Sequence, residues 1–248
     1  VPPKPKFLGR RQFRNYDLAA IAKYIDWGPF FQTWDLAGAF PQILGDEAVG
    51  EHARQVYAEG KAMLERIVAE RWLTANAAVA FYPAHSVGDD IEIYRDMDDA
   101  SGRRERLFTW HGLRQQTRKP VIEGVPNPNQ ALADFVAPRD SGLADYIGLF
   151  AVTAGIGLEQ REAIFQAKHD DYGAIMLKAI ADRLAEAFAE LLHERVRRDL
   201  WGYAAGESLS HEDLIRERYR GIRPAPGYPA CPEHSVKREM FEVLGAAD

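Results

Sequence analysis

Four prolines within a short segment near the end of the chain restrict most strongly what this sequence can fold into. They stand at positions 224, 226, 229 and 232, between Arg223 and His234. Each proline fixes φ and lacks an N–H donor, so the segment predicts an extended ribbon whose carbonyl groups stay free. With a hinge at Gly227, the guanidinium of Arg223 and the ring of Tyr228, the ribbon suits a small ligand that has an amine edge, a flat ring and a carboxylate. The alternative is a surface loop that only connects two helices.

The composition narrows the class of protein. The chain has 248 residues, of which 46% are hydrophobic, and 31 basic against 37 acidic residues give a net charge of −6. This balance argues against a nucleic-acid partner. Cys231 is the only cysteine in the sequence, so no internal disulfide can form, and we expect a reducing, cytoplasmic setting. No apolar run approaches the ~20 residues of a membrane span, so we expect no membrane contact.

The first residues predict a linker. Residues 1–15 contain several prolines and basic side chains, and we expect them to form a basic, solvated tether before a domain at residues 16–248. The chain opens without an initiator methionine. It is therefore expected to be a fragment of a longer polypeptide, although a chain shortened for expression would look the same.

Periodicity predicts a single α+β domain, a mostly antiparallel sheet packed with long helices. Helices are predicted at residues 18–26, 46–72 and 170–200, after Ser210 and from Ser235, with caps at Asp17, Asp170 and Ser210. Strands are predicted at residues 78–82, 91–94, 107–110 and 146–152, and the loop at residues 97–102 predicts an antiparallel hairpin. The charged residues on the long helix at 170–200, Glu186 and Glu190 among them, are interpreted as mostly solvated.

One carboxylate stands in an apolar segment. Asp26 lies between Ile25 and the aromatic cluster that begins at Trp27, where burial would require a hydrogen-bond donor or a cation as partner. A surface aspartate at a helix end is the alternative.

No metal site is predicted, because Cys231 and His234 lack further ligands nearby. The sequence contains no serine-nucleophile elbow, and Gly155-x-Gly157 is only a weak hint of a nucleotide loop.

Several blocks resemble one known family, the C-terminal activation domain of cobalamin-dependent methionine synthase, which binds S-adenosylmethionine. The ribbon from Gly221 to His234 is the most specific block. The other blocks are Tyr24-Ile25-Asp26-Trp27 with Pro29-Phe30-Phe31, Val87 to Tyr94, Leu113 to Gln116, Ala133 to Pro138, Ala144 to Gly148, and Ala181 to Ala187.

The resemblance implies a set of ligand-binding residues. By motif, the family's binding residues correspond to Asp26, Arg223 and Tyr228, and by less specific matches to Glu186 and Glu217, with Ala225 and Gly227 supplying ribbon backbone. S-adenosylmethionine has a carboxylate for Arg223, an exocyclic amine for the ribbon carbonyls, a flat adenine, and two cationic groups that the acids could balance.

The resemblance also implies a repair reaction. An electron from flavodoxin or a similar reductase and a methyl group from S-adenosylmethionine would restore methylcobalamin from inert cob(II)alamin. The cobalamin would be held by another module of the same enzyme or by a partner chain, so this chain alone would not synthesise methionine. We expect proximity and orientation to dominate, and no catalytic acid or base is assigned. The family domain continues past the final helix, whereas this chain stops at Asp248, so an incomplete pocket is expected. The alternative function is a non-catalytic docking module that caps cobalamin or a reductase without using S-adenosylmethionine.

Overall fold

The computed structural model describes residues 1–96, 105–122 and 124–246. Its helices are α1 (Leu18–Ala22), α2 (Gly28–Gln32), α3 (Gly50–Ala69), α4 (Leu158–Gln166), α5 (Asp171–Arg195), α6 (His211–Ile215) and α7 (Lys237–Leu244). Its strands are β1 (Gly9–Phe13), β2 (Thr74–Val87), β3 (Asp90–Tyr94), β4 (Arg106–Trp110), β5 (Val121–Ile122), β6 (Val125–Pro126) and β7 (Tyr146–Ile156).

The long strand β2 organises the main sheet. Its first part pairs with β1 along one edge and with β7 along the other, so that Val79 lies between Arg11 and Phe150. Its last residues pair with β3, and β3 pairs with β4. All these strand pairs are antiparallel, as is the small pair of β5 and β6. The predicted α+β class with a mostly antiparallel sheet is confirmed.

The two faces of β2 serve two cores, because successive strand residues point to opposite sides. Val79 and Phe81 face a core built with α1, α3 and α5. Ala80 and Tyr82 belong to a second core that contains Cys231 of the ribbon and residues from the end of the chain. The ribbon is therefore anchored on the sheet face opposite to the long helices.

Helix α5 is the main helical support of the first core. Asp170 caps it, and its Oδ1 accepts a hydrogen bond of 2.8 Å from the amide of Gly173. Its buried apolar residues follow the helical period and include Leu177 and Leu184. The helix continues into one π turn at Val196–Leu200, closed by a 2.9 Å bond from the amide of Trp201 to the carbonyl of Val196. Such wider turns are frequent at functional sites.

The linker prediction for residues 1–15 is wrong for Gly9–Phe13, which form strand β1. The ring of Phe7 also packs on that of Phe81, with centroids 4.9 Å apart, and Trp201 Nε1 donates to the carbonyl of Pro3 over 2.8 Å. The middle residues of β1 are exposed because it is an edge strand. The basic side chains at these exposed positions give the segment a composition typical of a linker, which explains the wrong prediction.

The helix predictions are confirmed in type and differ in their bounds. Helix α1 ends at Ala22 and α3 begins at Gly50, whereas the caps at Asp17 and Ser210 are confirmed. Helices α2 and α4 were not predicted, since α2 lacks a clean helical period and α4 has no fully buried residue. The antiparallel pairing of β3 and β4 is confirmed, and the loop at 97–102 lies outside the described residues. Among the described helices, none has the length and apolar character to cross a membrane.

Candidate functional site

The ribbon, residues 223–234, folds into two successive turns. The amide of Tyr228 donates to the carbonyl of Ala225 over 3.0 Å, with a proline and Gly227 at the corner. Proline presets φ at the first corner, and Gly227 adopts φ +108° at the second, as a type II turn requires. The next turn is closed by a 2.9 Å bond from the amide of Cys231 to the carbonyl of Tyr228. A 2.8 Å bond from the Gly227 amide to the Cys231 carbonyl ties the two turns together.

The prediction of an extended ribbon with free carbonyls is therefore wrong at three positions. The carbonyl of Ala225 accepts hydrogen bonds from the Tyr228 amide and from Cys231 Sγ, the latter over 2.9 Å. The carbonyls of Tyr228 and Cys231 also accept backbone bonds. The positive φ of Gly227 folds the chain back, so the few amides that are not proline nitrogens reach these carbonyls. A ligand amine would have to compete for the Ala225 carbonyl.

The aromatic residue of the ribbon is open to solvent. Tyr228 is 61% exposed. Its ring therefore offers a flat apolar face on which a heterocycle can stack. Cys231 lies on the buried side of the same turn and fixes it to the sheet.

Arg223, at the start of the ribbon, is paired with a residue of α5. Its Nη2 donates to Glu190 Oε2 over 2.9 Å, and the two side chains are 23% and 14% exposed. The neighbouring atoms Arg223 Nε and Glu190 Oε1 are buried and have no hydrogen-bond partner within the described chain. Burial raises the pKa of Glu190 by more than the nearby cations Arg223 and Arg197 lower it. The pair is thus incompletely satisfied, which is uncommon for buried polar groups.

A second, fully buried cation lies behind this pair on the π turn. Arg197 Nε donates to both carboxylate oxygens of Glu207 over 2.9 and 3.0 Å, and its Nη1 is 3.9 Å from Glu190 Oε1. The guanidinium lies 4.3 Å from the ring centroid of Tyr219. Because Tyr219 belongs to the segment that leads into the ribbon, Arg197 joins that segment to α5 by ionic and cation–π contacts.

His193 completes the buried cluster in its neutral form. Arg197 Nη1 lies 2.8 Å from His193 Nδ1, and an arginine can only donate, so Nδ1 is the acceptor. Burial lowers the pKa of His193 to about 2, with Arg197 and Arg223 contributing in the same direction. The imidazole therefore adds no charge to the cluster at neutral pH.

The structure places Asp26 beside α5. The hydroxyl of Tyr24 donates to Glu194 Oε2 near the end of α5 over 2.7 Å, and the ring of Trp34 lies 4.8 Å from that of Tyr172 at its start. The chain between Tyr24 and Trp34 therefore runs antiparallel to α5, with Asp26 near the later turns. Asp26 is half-buried, and its Oδ1 accepts from the Gly28 amide over 2.9 Å. The hydrogen-bond partner predicted for a buried Asp26 is thus a backbone amide.

The two remaining acids lie near the pair of Arg223 and Glu190. Glu186 is exposed on α5, one turn before Glu190. Glu217 is exposed just after α6, at φ +52°, and is close enough to contribute to the raised pKa of Glu190. No hydrogen bond within the described residues joins Asp26, Glu186 or Glu217 to Arg223. The structure thus ties Glu217 to the Arg223–Glu190 pair and places Glu186 one helical turn from it, whereas the described contacts of Asp26 are with its own segment.

Sequence reasoning missed the buried acids and bases. Glu190 was interpreted as solvated, and Arg197 and Glu207 were not singled out, although Arg197 is fully buried. Glu190, His193 and Arg197 recur at steps of three and four residues, on the side of the helix opposite to the apolar stripe of Leu184. A face that carries charged residues normally indicates solvent, so the helical period gave no signal for their burial.

Two surface cavities lie apart from the predicted residues. One has a volume of about 290 Å³ and lies beside the end of α5, and another of about 260 Å³ lies between the sheet and α7. None of the predicted binding residues lines either cavity. Within the described ranges, no group of three or more His, Cys, Asp or Glu side chains could hold a metal ion.

The fold and the site define an α+β domain in which Arg223 ties the start of a proline-rich ribbon to the long helix α5, while Cys231 anchors the ribbon on the opposite face of the sheet. The family model for the activation domain of vitamin B12-dependent methionine synthase matches residues 17–248. The chain belongs to this family, and the predicted resemblance is confirmed. It is therefore part of a methyltransferase.

A solved structure shows the same architecture. The crystal structure described as the MetH reactivation domain bound to AdoHcy is 52% identical to this chain, with a TM-score of 0.89. The match covers 99% of this chain and 72% of that chain. The two proteins therefore share the fold.

Proposed function

We propose that this domain binds S-adenosylmethionine at the ribbon and positions it for the reductive methylation of cob(II)alamin. The observation that carries the proposal is Arg223, whose side chain is 23% exposed at the start of the ribbon while Glu190 holds its Nη2. The related reactivation domain was crystallised with AdoHcy. AdoHcy is what remains of S-adenosylmethionine after its methyl group has been transferred, so one site would serve both molecules.

The residues of this region suit each part of the ligand. The guanidinium of Arg223 matches the ligand carboxylate, since the planar fork of arginine fits a carboxylate with two hydrogen bonds. The exposed ring of Tyr228 offers a stacking surface for adenine beside the sharp turn at Gly227 and Ala225. Asp26, Glu186 and Glu217 supply negative charge for the ammonium and sulfonium groups.

The contribution of the protein to methyl transfer would be positional. When bound, S-adenosylmethionine supplies an electrophilic methyl group that a reduced cobalt centre can take. The chain would fix the two ends of the ligand, the amino acid at Arg223 and the base at Tyr228, so that the sulfonium between them keeps one orientation. Holding reactants in line can supply a large part of a rate enhancement, and no proton transfer by this chain is needed.

The partners follow from the reaction. The cobalamin-binding module of the same enzyme or of a partner chain would present the cofactor, and flavodoxin or a similar reductase would supply the electron. A cytoplasmic location fits such a reductase. The isolated domain would then bind the methyl donor without synthesising methionine.

Ligand-dependent stability tests this function. Thermal unfolding of the chain should shift upward with S-adenosylmethionine and with S-adenosylhomocysteine, because a ligand that binds only the folded state stabilises it. In Asp26→Asn, Oδ1 can still accept from the Gly28 amide while the charge is lost. The increase in midpoint temperature with S-adenosylmethionine should then fall more than the increase with S-adenosylhomocysteine, whose sulfur carries no charge. No shift with either ligand for the wild type would favour the docking module.

A further inference from the structure

Glu190 lies where it can hold the ribbon arginine in place. The bond from Arg223 Nη2 to Glu190 Oε2 spans two residues that are 33 positions apart in the chain. That bond engages one of the five N–H donors of the guanidinium, and Tyr219 also interacts with Arg223. Because the Arg223 side chain stays 23% exposed, a ligand carboxylate can approach it without displacing Glu190. A flexible arginine tethered on one side in this manner presents its remaining donors in a fixed direction.

The cluster behind Glu190 explains why the tether itself stays fixed. Arg197 is fully buried, bound to Glu207 by several hydrogen bonds, and 3.9 Å from Glu190 Oε1. The carboxylate of Glu190 therefore lies between Arg197, which Glu207 holds in place, and Arg223 at the start of the ribbon. Glu190 Oε1 and Arg223 Nε form no hydrogen bond within the described residues, so the pair does not adopt the two-bond fork that would satisfy both. A purely structural ion pair would gain by forming that fork.

We propose that Glu190 is a positioning residue that orients Arg223 toward the carboxylate of the bound ligand, with Arg197 as its fixed support. This inference rests on the proposed function, because it assigns a role within the same ligand site. It adds a residue of α5 that touches the arginine and does not touch the ligand.

The test compares two ligands that differ in the group that Arg223 would bind. S-adenosylhomocysteine carries the amino-acid carboxylate, and 5′-methylthioadenosine lacks it. Isothermal titration of the full chain with each ligand should show that Glu190→Gln weakens S-adenosylhomocysteine about tenfold, the scale of a lost charged hydrogen bond. The affinity for 5′-methylthioadenosine should stay unchanged. Glu162→Gln is the matched control, because Glu162 is 20% exposed and pairs with Lys178 of α5 away from the ribbon.

Each other outcome overturns the assignment in a recognisable manner. Equal weakening of the binding of both ligands would mean that Glu190 supports the fold of the ribbon. Unchanged binding of S-adenosylhomocysteine would mean that Arg223 needs no tether. Tighter binding would mean that Glu190 competes with the ligand carboxylate for Arg223. If Glu190→Gln fails to fold, Glu190→Asp keeps the charge, withdraws the carboxylate by one methylene and should show the same ligand-selective loss. A wild type that binds neither ligand would instead overturn the proposed function, and the inference with it.

Discussion

The buried guanidinium of Arg197 is held by the carboxylate of Glu207 through three hydrogen bonds of 2.7 to 3.0 Å. The two side chains are 0% and 8% exposed. Glu207 lies in the segment after the π turn, so this contact fixes the path of the chain toward α6 and the ribbon. The ligand region is therefore built on a buried ion pair.

Glu207→Ala should destabilise the domain strongly. Among the described residues it leaves the buried Arg197 charge with the more distant Glu190 as acidic partner, and removing one member of a buried pair costs about 3–5 kcal/mol. Urea unfolding followed by circular dichroism measures the loss. Glu212→Ala is the control, since Glu212 forms an exposed pair with Arg216 and its removal should change little. Equal effects of the two substitutions would contradict the account of the cluster.

Stability should fall in mild acid because of His193. Burial holds the pKa of His193 at about 2 in the folded state, whereas the unfolded chain takes up the proton near 6.5. The stability contributed by neutral His193 is therefore complete above pH 6.5 and is lost progressively as the pH falls toward 2, by up to about 1.4 kcal/mol per pH unit. His193→Gln removes the titrating group. The difference in unfolding free energy between wild type and this variant should shrink from pH 7 to pH 5, and a constant difference would count against a buried, neutral imidazole.

The turn of the ribbon should require Gly227. Its φ of +108° is unfavourable for other residues, and a Cβ there would stand 2.3 Å from Cε1 of His234. Gly227→Ala should cost ~1 kcal/mol or more and weaken ligand binding. Combining it with His234→Ala removes the clash and leaves the backbone strain, so the double variant should recover only part of the stability. Gly206→Ala, where a Cβ would meet nothing within 4 Å, is the control, and a loss as large there would contradict the explanation.

Local rules predicted much of this fold. The long helix α5 follows from helical periodicity, and the predicted strand at residues 78–82 covers the middle of β2, which extends over Thr74–Val87. Asp170 and Ser210 act as caps because their side chains accept from nearby amides. Edge strand β1 could not be predicted in this manner, because it pairs with one strand, β2, and its middle residues are exposed to solvent. Its exposed side chains carry little signal beyond charge.

The ligand-binding residues were predicted by motif, whereas the buried residues that hold Arg223 in place were not predicted. Arg223, Tyr228 and Gly227 stand out because a proline-rich ribbon has few possible shapes. The free carbonyls failed as a prediction because the positive φ of Gly227 returns the chain on itself. Glu190 looks like any helix acid in the sequence. Its burial depends on a contact with Arg223, 33 residues away, which no local pattern encodes.

Isothermal titration with S-adenosylmethionine of wild type, Arg223→Ala and Arg220→Ala tests the central claim most directly. Arg220 belongs to the same segment but is exposed, with its guanidinium 5.9 Å from the ring centroid of Tyr203. The account predicts saturable binding by wild type and Arg220→Ala, and none by a folded Arg223→Ala. Binding by Arg223→Ala with the affinity of the wild type would show that the ligand does not use the ribbon arginine.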